Sequence, residues 1–182
     1  VRIGNIYRNS ELTFFNTCYL WMTYSDDDGL TWSVPKDITP EVKDEWMKFC
    51  GTGPGMGVQT KSGRLIFPAY CTNAGGTQSS FNVYSDDDGK TWHQGGSPNN
   101  EGNMENAESH LTESCIVELD NGHLMQFMRS YNGQVTLSVS TDEGVTWGAP
   151  VQQSGVKDPY CQMSAVHYPG KILDPADGQE KE

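Results

Sequence analysis

An eight-residue pattern, S-x-D-x-G-x-T-W, occurs three times in this chain. The copies are Ser25-Asp-Asp-Asp-Gly-Leu-Thr-Trp32, Ser85-Asp-Asp-Asp-Gly-Lys-Thr-Trp92 and Ser140-Thr-Asp-Glu-Gly-Val-Thr-Trp147. Their serines lie 60 and then 55 residues apart. A repeat of this period signals a repeated supersecondary unit and so dictates the architecture. The chemistry of the repeat is that of a hairpin turn. Asp27, Asp87 and Asp142 can accept backbone N–H groups across it. Gly29, Gly89 and Gly144 allow positive φ. The Thr-Trp pair is expected to begin a strand, with its indole buried as a wedge against neighbouring strands.

Around each repeat the sequence alternates like antiparallel β-structure. Strands are expected ahead of the repeats at Cys18–Tyr24, Ser80–Tyr84 and Gln134–Val139. The third unit is the most complete. Glu113–Leu119 reads as a strand, Asp120-Asn-Gly122 as a hairpin turn, and Leu124–Arg129 as the returning strand. Tyr131-Asn-Gly133 turns again, Gln134–Val139 follows, and Gly148–Gln152 comes after the repeat. Four antiparallel strands in about 40 residues make one blade of a β-propeller. The second unit runs through Gly57–Thr60, the turn Lys61-Ser-Gly63, Leu65–Tyr70 and Gln78–Tyr84. Val1–Phe15 matches two full strands poorly.

The fold class is therefore all-β, with blade fragments expected at about 14–50, 51–100 and 108–155. Another blade should start at 158–168, at Tyr160–Val166, and an irregular tail should follow over 170–182. Segments 33–56 and 93–112 read as linkers. Pro40–Trp46 holds a helical turn and Ser97–Asn106 an exposed loop. Propellers close with about four to eight blades, so about three blades imply a fragment whose missing blades come from elsewhere.

Composition narrows the function. The 20 glycines and nine prolines among 182 residues suit a turn-rich β-protein. A net charge of −12 argues against nucleic acid and anionic membranes. Anion recognition must come from the four arginines, Arg2, Arg8, Arg64 and Arg129. No apolar run reaches the length of a membrane span, no signal peptide opens the chain, and Val1 is not a start residue. The five cysteines form no CxxC pair, which argues for buried free thiols rather than a zinc site. The Asp-Asp-Asp-Gly runs place Tyr24, Tyr84 and Val139 where a calcium loop needs its first aspartate, so that match fails. Gly51-Thr-Gly-Pro-Gly-Met-Gly57 lacks the Gly-Lys-Ser/Thr of a phosphate loop. No metal and no cofactor are expected.

The repeats resemble the Asp-boxes of sialidases and other propellers. The resemblance extends to Leu111–Arg129, to Val156-Lys-Asp-Pro-Tyr-Cys-Gln-Met-Ser-Ala-Val166, to Trp46–Gly57 and to the surroundings of Tyr70. It spans roughly residues 14–168 and is closest to the secreted bacterial sialidases, or neuraminidases. It implies a six-bladed propeller that cleaves terminal α-linked sialic acid. In that family three arginines hold the sialate carboxylate, because guanidinium offers parallel charge-assisted bonds. A tyrosine serves as nucleophile, a glutamate as its base and an aspartate as the acid.

On residue type alone, Glu113 is a solvated strand-end acid and Arg129 a surface arginine. By resemblance, Glu113 matches the base and Arg129 one carboxylate-binding arginine, while Tyr70 and Gln78 line the sugar pocket. Trp46, Phe49 and Met56 become candidates for apolar contacts, and Glu108 and Glu118 rank below Glu113. The family's acid, nucleophile and remaining arginines find no match here, Arg2, Tyr160 and Tyr168 lying outside the relevant motifs. The resemblance thus implies a fragment of a retaining exo-α-sialidase, secreted or at the cell surface and acting on sialylated glycans or glycoproteins. A non-catalytic carbohydrate-binding propeller and an intramolecular trans-sialidase remain the alternatives.

Overall fold

A computed structural model describes residues 18–168, 170–174 and 176–181. Val1–Phe15, with Arg2 and Arg8, lies outside the described residues. Two larger sheets dominate. In the first, Phe49–Thr52 (β3), Leu65–Thr72 (β5), Gln78–Ser85 (β6) and His93–Gln94 (β7) pair in that order, and Val58–Gln59 (β4) also pairs with β5. In the second, Leu111–Glu118 (β8), Leu124–Ser130 (β9), Gln134–Ser140 (β10) and Val151–Lys157 (β11) form an antiparallel meander. Trp21–Met22 (β1) and Lys36–Asp37 (β2) form a short ribbon ahead of a single helical turn, Thr39–Val42 (α1).

The Asp-box turns are built as the sequence implies. Each places two consecutive residues at positive φ: Asp28 and Gly29, Asp88 and Gly89, Glu143 and Gly144. That backbone leaves amide groups without strand partners, and the box side chains take them up. In the second box, Gly89 N donates to Ser85 Oγ at 2.9 Å, and Thr91 N donates to Asp87 Oδ1 at 2.8 Å. The Thr91 hydroxyl donates to Asp87 Oδ2 at 2.7 Å. The first and third boxes repeat this set. Chiefly through the Thr31 hydroxyl in one and the Thr91 amide in the other, Asp27 and Asp87 are held at a pKa of about 2. Burial raises the Asp142 pKa, but the Thr146 bonds outweigh it and leave it below the usual carboxylate value.

The tryptophans depart from the expected wedge. Trp92 is 3% exposed in the core, whereas Trp32 is 62% exposed and Trp147 is half-buried. Burial needs a neighbouring sheet over the indole. Trp92 has Phe67 beside it and the α1 region packed near, and Trp32 has no such sheet among the described residues. Nor do strands begin at Thr-Trp. They begin one residue later at β7 and four residues later at β2 and β11, because the turn bonds still hold the Thr-Trp backbone.

Other segments differ as well. Phe49–Thr52, read as linker, is a strand along β5, and Gly53 N continues the pairing to Pro68 O at 2.8 Å. The Ser97–Asn106 loop is not simply exposed: Ser97, Asn99 and Met104 are buried, and Asn99 Nδ2 donates to Ser79 Oγ at 2.8 Å. Residues 161–168 take no regular secondary structure, so no strand begins at Tyr160–Val166. The tail carries a short ribbon, Ile172–Leu173 (β12) with Glu180–Lys181 (β13). Cys50, Cys71 and Cys115 are buried free thiols, Cys18 is half-buried, and Cys161 is exposed.

The boxes also join one sheet to the next. Trp147 Nε1 donates to Asn82 Oδ1 at 2.9 Å, and Gly96 N donates to Gly144 O at 2.9 Å. A Cβ on Gly144 would sit 2.8 Å from Asn82 Nδ2, so the close approach of the third box to β6 requires glycine. Arg64 clamps Asp86 with two bonds of 2.7 and 2.9 Å and donates to Glu143 O at 3.0 Å while stacking on Tyr84. Glu41 of α1 accepts Trp92 N at 2.7 Å. Ile66, Ile116 and Leu124 fill the apolar seam between the two larger sheets.

Two outcomes follow. Asn82→Ala leaves the Trp147 indole N–H without its acceptor and should lower stability by about 1–3 kcal/mol, measured by urea unfolding. Because the box aspartates have depressed pKa values, their contribution is complete above about pH 4 and is lost as pH falls towards about 2. Unfolding free energy measured from pH 5 to 2.5 should fall, and Thr31→Val with Thr91→Val should flatten that fall.

Candidate active site

The turn at Asp120-Asn-Gly122 returns β9 alongside β8, and the pairing register carries an irregularity between Leu111 and Ser114. Below it, Ser114 faces Met128 and Cys115 faces Phe127; above it, Leu111 faces Ser130. One extra residue therefore sits on β8, a β-bulge of the kind that re-aims a side chain. Glu113 and Arg129 emerge on the same face of the sheet. Arg129 Nη1 donates to Glu113 Oε2 at 2.5 Å, and both side chains are about one-fifth exposed, 23% and 22%. Burial lowers the Arg129 pKa, but the bond to Glu113 and its charge more than offset this and hold the guanidinium protonated.

Both residues face an open cavity of about 410 Å³, lined also by Tyr70, Gln78, His110, Thr112, Tyr131 and Tyr160. The pairing of β5 with β6 sets Tyr70 opposite Ser80 and Thr72 opposite Gln78, so Tyr70 and Gln78 share a sheet face. That face meets β8, where the Ser80 hydroxyl donates to Thr112 O beside the bulge. Gly53 approaches the same stretch, its hypothetical Cβ falling 2.8 Å from Ser114 O. His110 Nδ1 accepts Gln78 N at 3.3 Å, and burial lowers the His110 pKa, so the ring is held neutral. A larger cleft, about 600 Å³, lies along Val117, Met125, Phe127 and Val166, away from this pair.

The chain is similar to known proteins along most of its length. Residues 6–173 match the BNR repeat-like domain family. Over 98% of this chain, and 22% of its own length, the anhydrosialidase of Macrobdella decora is 33% identical. The chain belongs to the BNR repeat-like domain family. Among solved structures, the Hadza microbial sialidase Hz136 superposes with a TM-score of 0.75 at 31% identity, covering 87% of this chain and 30% of that one. A leech intramolecular trans-sialidase, complexed with 2,7-anhydro-Neu5Ac, gives 0.64 at 31% identity over 76% of this chain and 20% of that one. The chain thus spans about a fifth to a third of the length of these relatives, and its sheets are part of a sialidase-type β-propeller.

Glu113, Arg129, Tyr70 and Gln78, singled out in the sequence, all line one cavity. Trp46, Phe49 and Met56 do not line it. Trp46 packs on the core and Met56 is 82% exposed. Phe49 touches the site through its ring contact with Tyr70, centroids 4.9 Å apart. Glu118 instead accepts the Lys61 amide at the far end of β8. The sequence reading missed His110, Tyr131 and Tyr160. Tyr131 was visible only as the first residue of the turn after β9, a place that carries no signal of a pocket residue.

His110 should titrate below the ordinary value of about 6.5. Its folded pKa is depressed, so the associated stability is present above that value and is lost as pH falls through the folded pKa. The protection of the Gln78 amide, with its exchange rate corrected for the intrinsic pH dependence, should fall as pH drops below about 6.5, and substitution of His110 by Gln should remove that change.

Proposed function

We propose that the cavity binds the carboxylate of a terminal sialic acid and that the chain is part of a retaining exo-α-sialidase. The observation that carries this reading is the convergence of Arg129 and Glu113 on one cavity with Tyr70 and Gln78. A guanidinium matches a carboxylate through parallel N–H donors. The sugar's own carboxylate, next to the reacting carbon, repels an anionic nucleophile, which is the reason for a tyrosine in this family. Glu113 then acts as the base on that tyrosine. Arg129 occupies its Oε2, which leaves Oε1 to accept the proton.

The tyrosine nucleophile, the acid aspartate and two further arginines have no matching residue within 1–182. Purified 1–182 should therefore release no fluorophore from a fluorogenic sialoside. Turnover abolished by Glu113→Ala would contradict this. Calorimetric titration should still detect sialyllactose, and Arg129→Met should weaken it by about tenfold or more, as loss of a charged hydrogen-bond partner does.

The likeness to the leech trans-sialidase favours a second reading, intramolecular transfer to give an anhydro sugar. NMR of the product formed by the full-length protein separates free sialic acid from 2,7-anhydro-sialic acid. A non-catalytic binding propeller would show affinity with no product at all. Sialylated glycans as partners and a secreted or cell-surface location belong to the same proposal. Among the described residues no helix is long and apolar enough to cross a membrane.

A further inference from the structure

Tyr160 stands in an unusual place. Its ring centroid is 3.6 Å from the Arg129 guanidinium carbon and 4.1 Å from the Tyr131 ring, which is nearly parallel to it at 17°. Two groups this close to one π system need its opposite faces. Arg129 lies in β9 and Tyr131 in the turn just after it, and the gap between their side chains has room for a single ring. Tyr160 fills it. Tyr131 is in turn braced edge-on by His110, centroids 4.7 Å apart.

The backbone delivers Tyr160 at a cost. Its φ is 66°, in the left-handed region that a bulky residue rarely adopts. A tight turn holds it there. Asp158 is buried, its amide donates to Gly133 O at 3.1 Å, and its Oδ1 accepts Cys161 N at 2.8 Å. Pro159 fixes the intervening φ.

We infer that Tyr160 is a positioning residue for Arg129, its ring fixing the plane of the guanidinium so that the in-plane donors face the cavity. The inference rests on the reading of Arg129 as the sialate-binding group. Stacking uses the face of the guanidinium, whereas carboxylates bind at its edge, so the two contacts do not compete. Glu113 engages Nη1, and among the described residues Arg129 Nε has no partner. One-sided anchoring through Nη1 leaves rotation about that bond, and the stacked ring removes it. The alternative role, a nucleophilic phenolate, needs a lowered pKa. Burial first, and then the Tyr131 hydroxyl, push the Tyr160 pKa well above the ordinary phenol value.

The test uses the whole chain with two readouts. The first is the NMR signal of the Arg129 Nε–H group, which a stacked ring shifts upfield. The second is affinity for N-acetylneuraminic acid by titration. Wild type and Tyr160→Phe should show the shifted signal and affinities within about twofold of each other, since the ring alone acts. Tyr160→Ala and Tyr160→Leu should return the signal to the ordinary range and weaken binding by about 3- to 30-fold, the span of a cation–π contact. A normal dispersion of the remaining signals reports that each variant is folded. An unshifted Arg129 signal in wild type, or equal affinity in Tyr160→Ala, overturns the inference while leaving the sialate reading intact. A shifted signal in a wild-type chain that binds no sialic acid instead overturns the sialate reading, and the positioning role with it.

Discussion

A carboxylate and a guanidinium taken partly out of water need a bond between them, and that bond must be held in place by something other than itself. In this chain it is the contact between Glu113 and Arg129. Three features converge on it. The register of β8 with β9, Ser114 opposite Met128, carries on to set Glu113 beside Arg129. The Ser80 hydroxyl ties Thr112 to the neighbouring sheet. Gly53 lets the β3–β4 connection lie against Ser114. The site is therefore a property of two sheets packed together rather than of either strand, and what sets their separation also sets the geometry of the pair.

That separation depends on the Asp-box turns. Their side chains satisfy a backbone that no ladder reaches, and in the third box the indole and backbone reach across to Asn82 and Gly96. Arg64 adds a second cross-link, from the second box region to the third. The boxes contribute no atom to the cavity. They hold sheets in register whose opposite ends carry the chemistry, which accounts for a repeat so regular lying away from the functional residues.

Much of this was legible in the sequence. The spacing of Ser25, Ser85 and Ser140 implied repeated antiparallel units, and the turn Asp120-Asn-Gly122 brought Glu113 and Arg129 to one end of a hairpin. What stayed hidden depended on contacts distant in sequence. The shared face of Glu113 and Arg129 rests on the register of β8 with β9, which carries on from Ser114 opposite Met128 and which alternation alone cannot fix. The fate of each tryptophan depended on a neighbouring sheet, so boxes that differ only at Leu30 and Lys90 gave Trp92 at 3% exposure and Trp32 at 62%. Tyr160 belongs to a turn whose left-handed residue is not glycine, so no residue-type signal marked it. Phe49–Thr52 was hidden by the glycine-rich run that begins at Gly51, which read as linker and proved to be a strand and its exit.

In the proposed role, Arg129 holds the carboxylate of a sialic acid in the cavity it shares with Glu113, Tyr70 and Gln78. A crystal structure of the chain soaked with N-acetylneuraminic acid tests it most directly. The account predicts the sugar carboxylate within hydrogen-bond distance of the Arg129 guanidinium, at about 2.7–2.9 Å, with the ring between Tyr70 and Tyr131. Sugar bound in the apolar cleft beside Val117 and Phe127, or a carboxylate held by other residues with Arg129 still engaged only by Glu113, would contradict it.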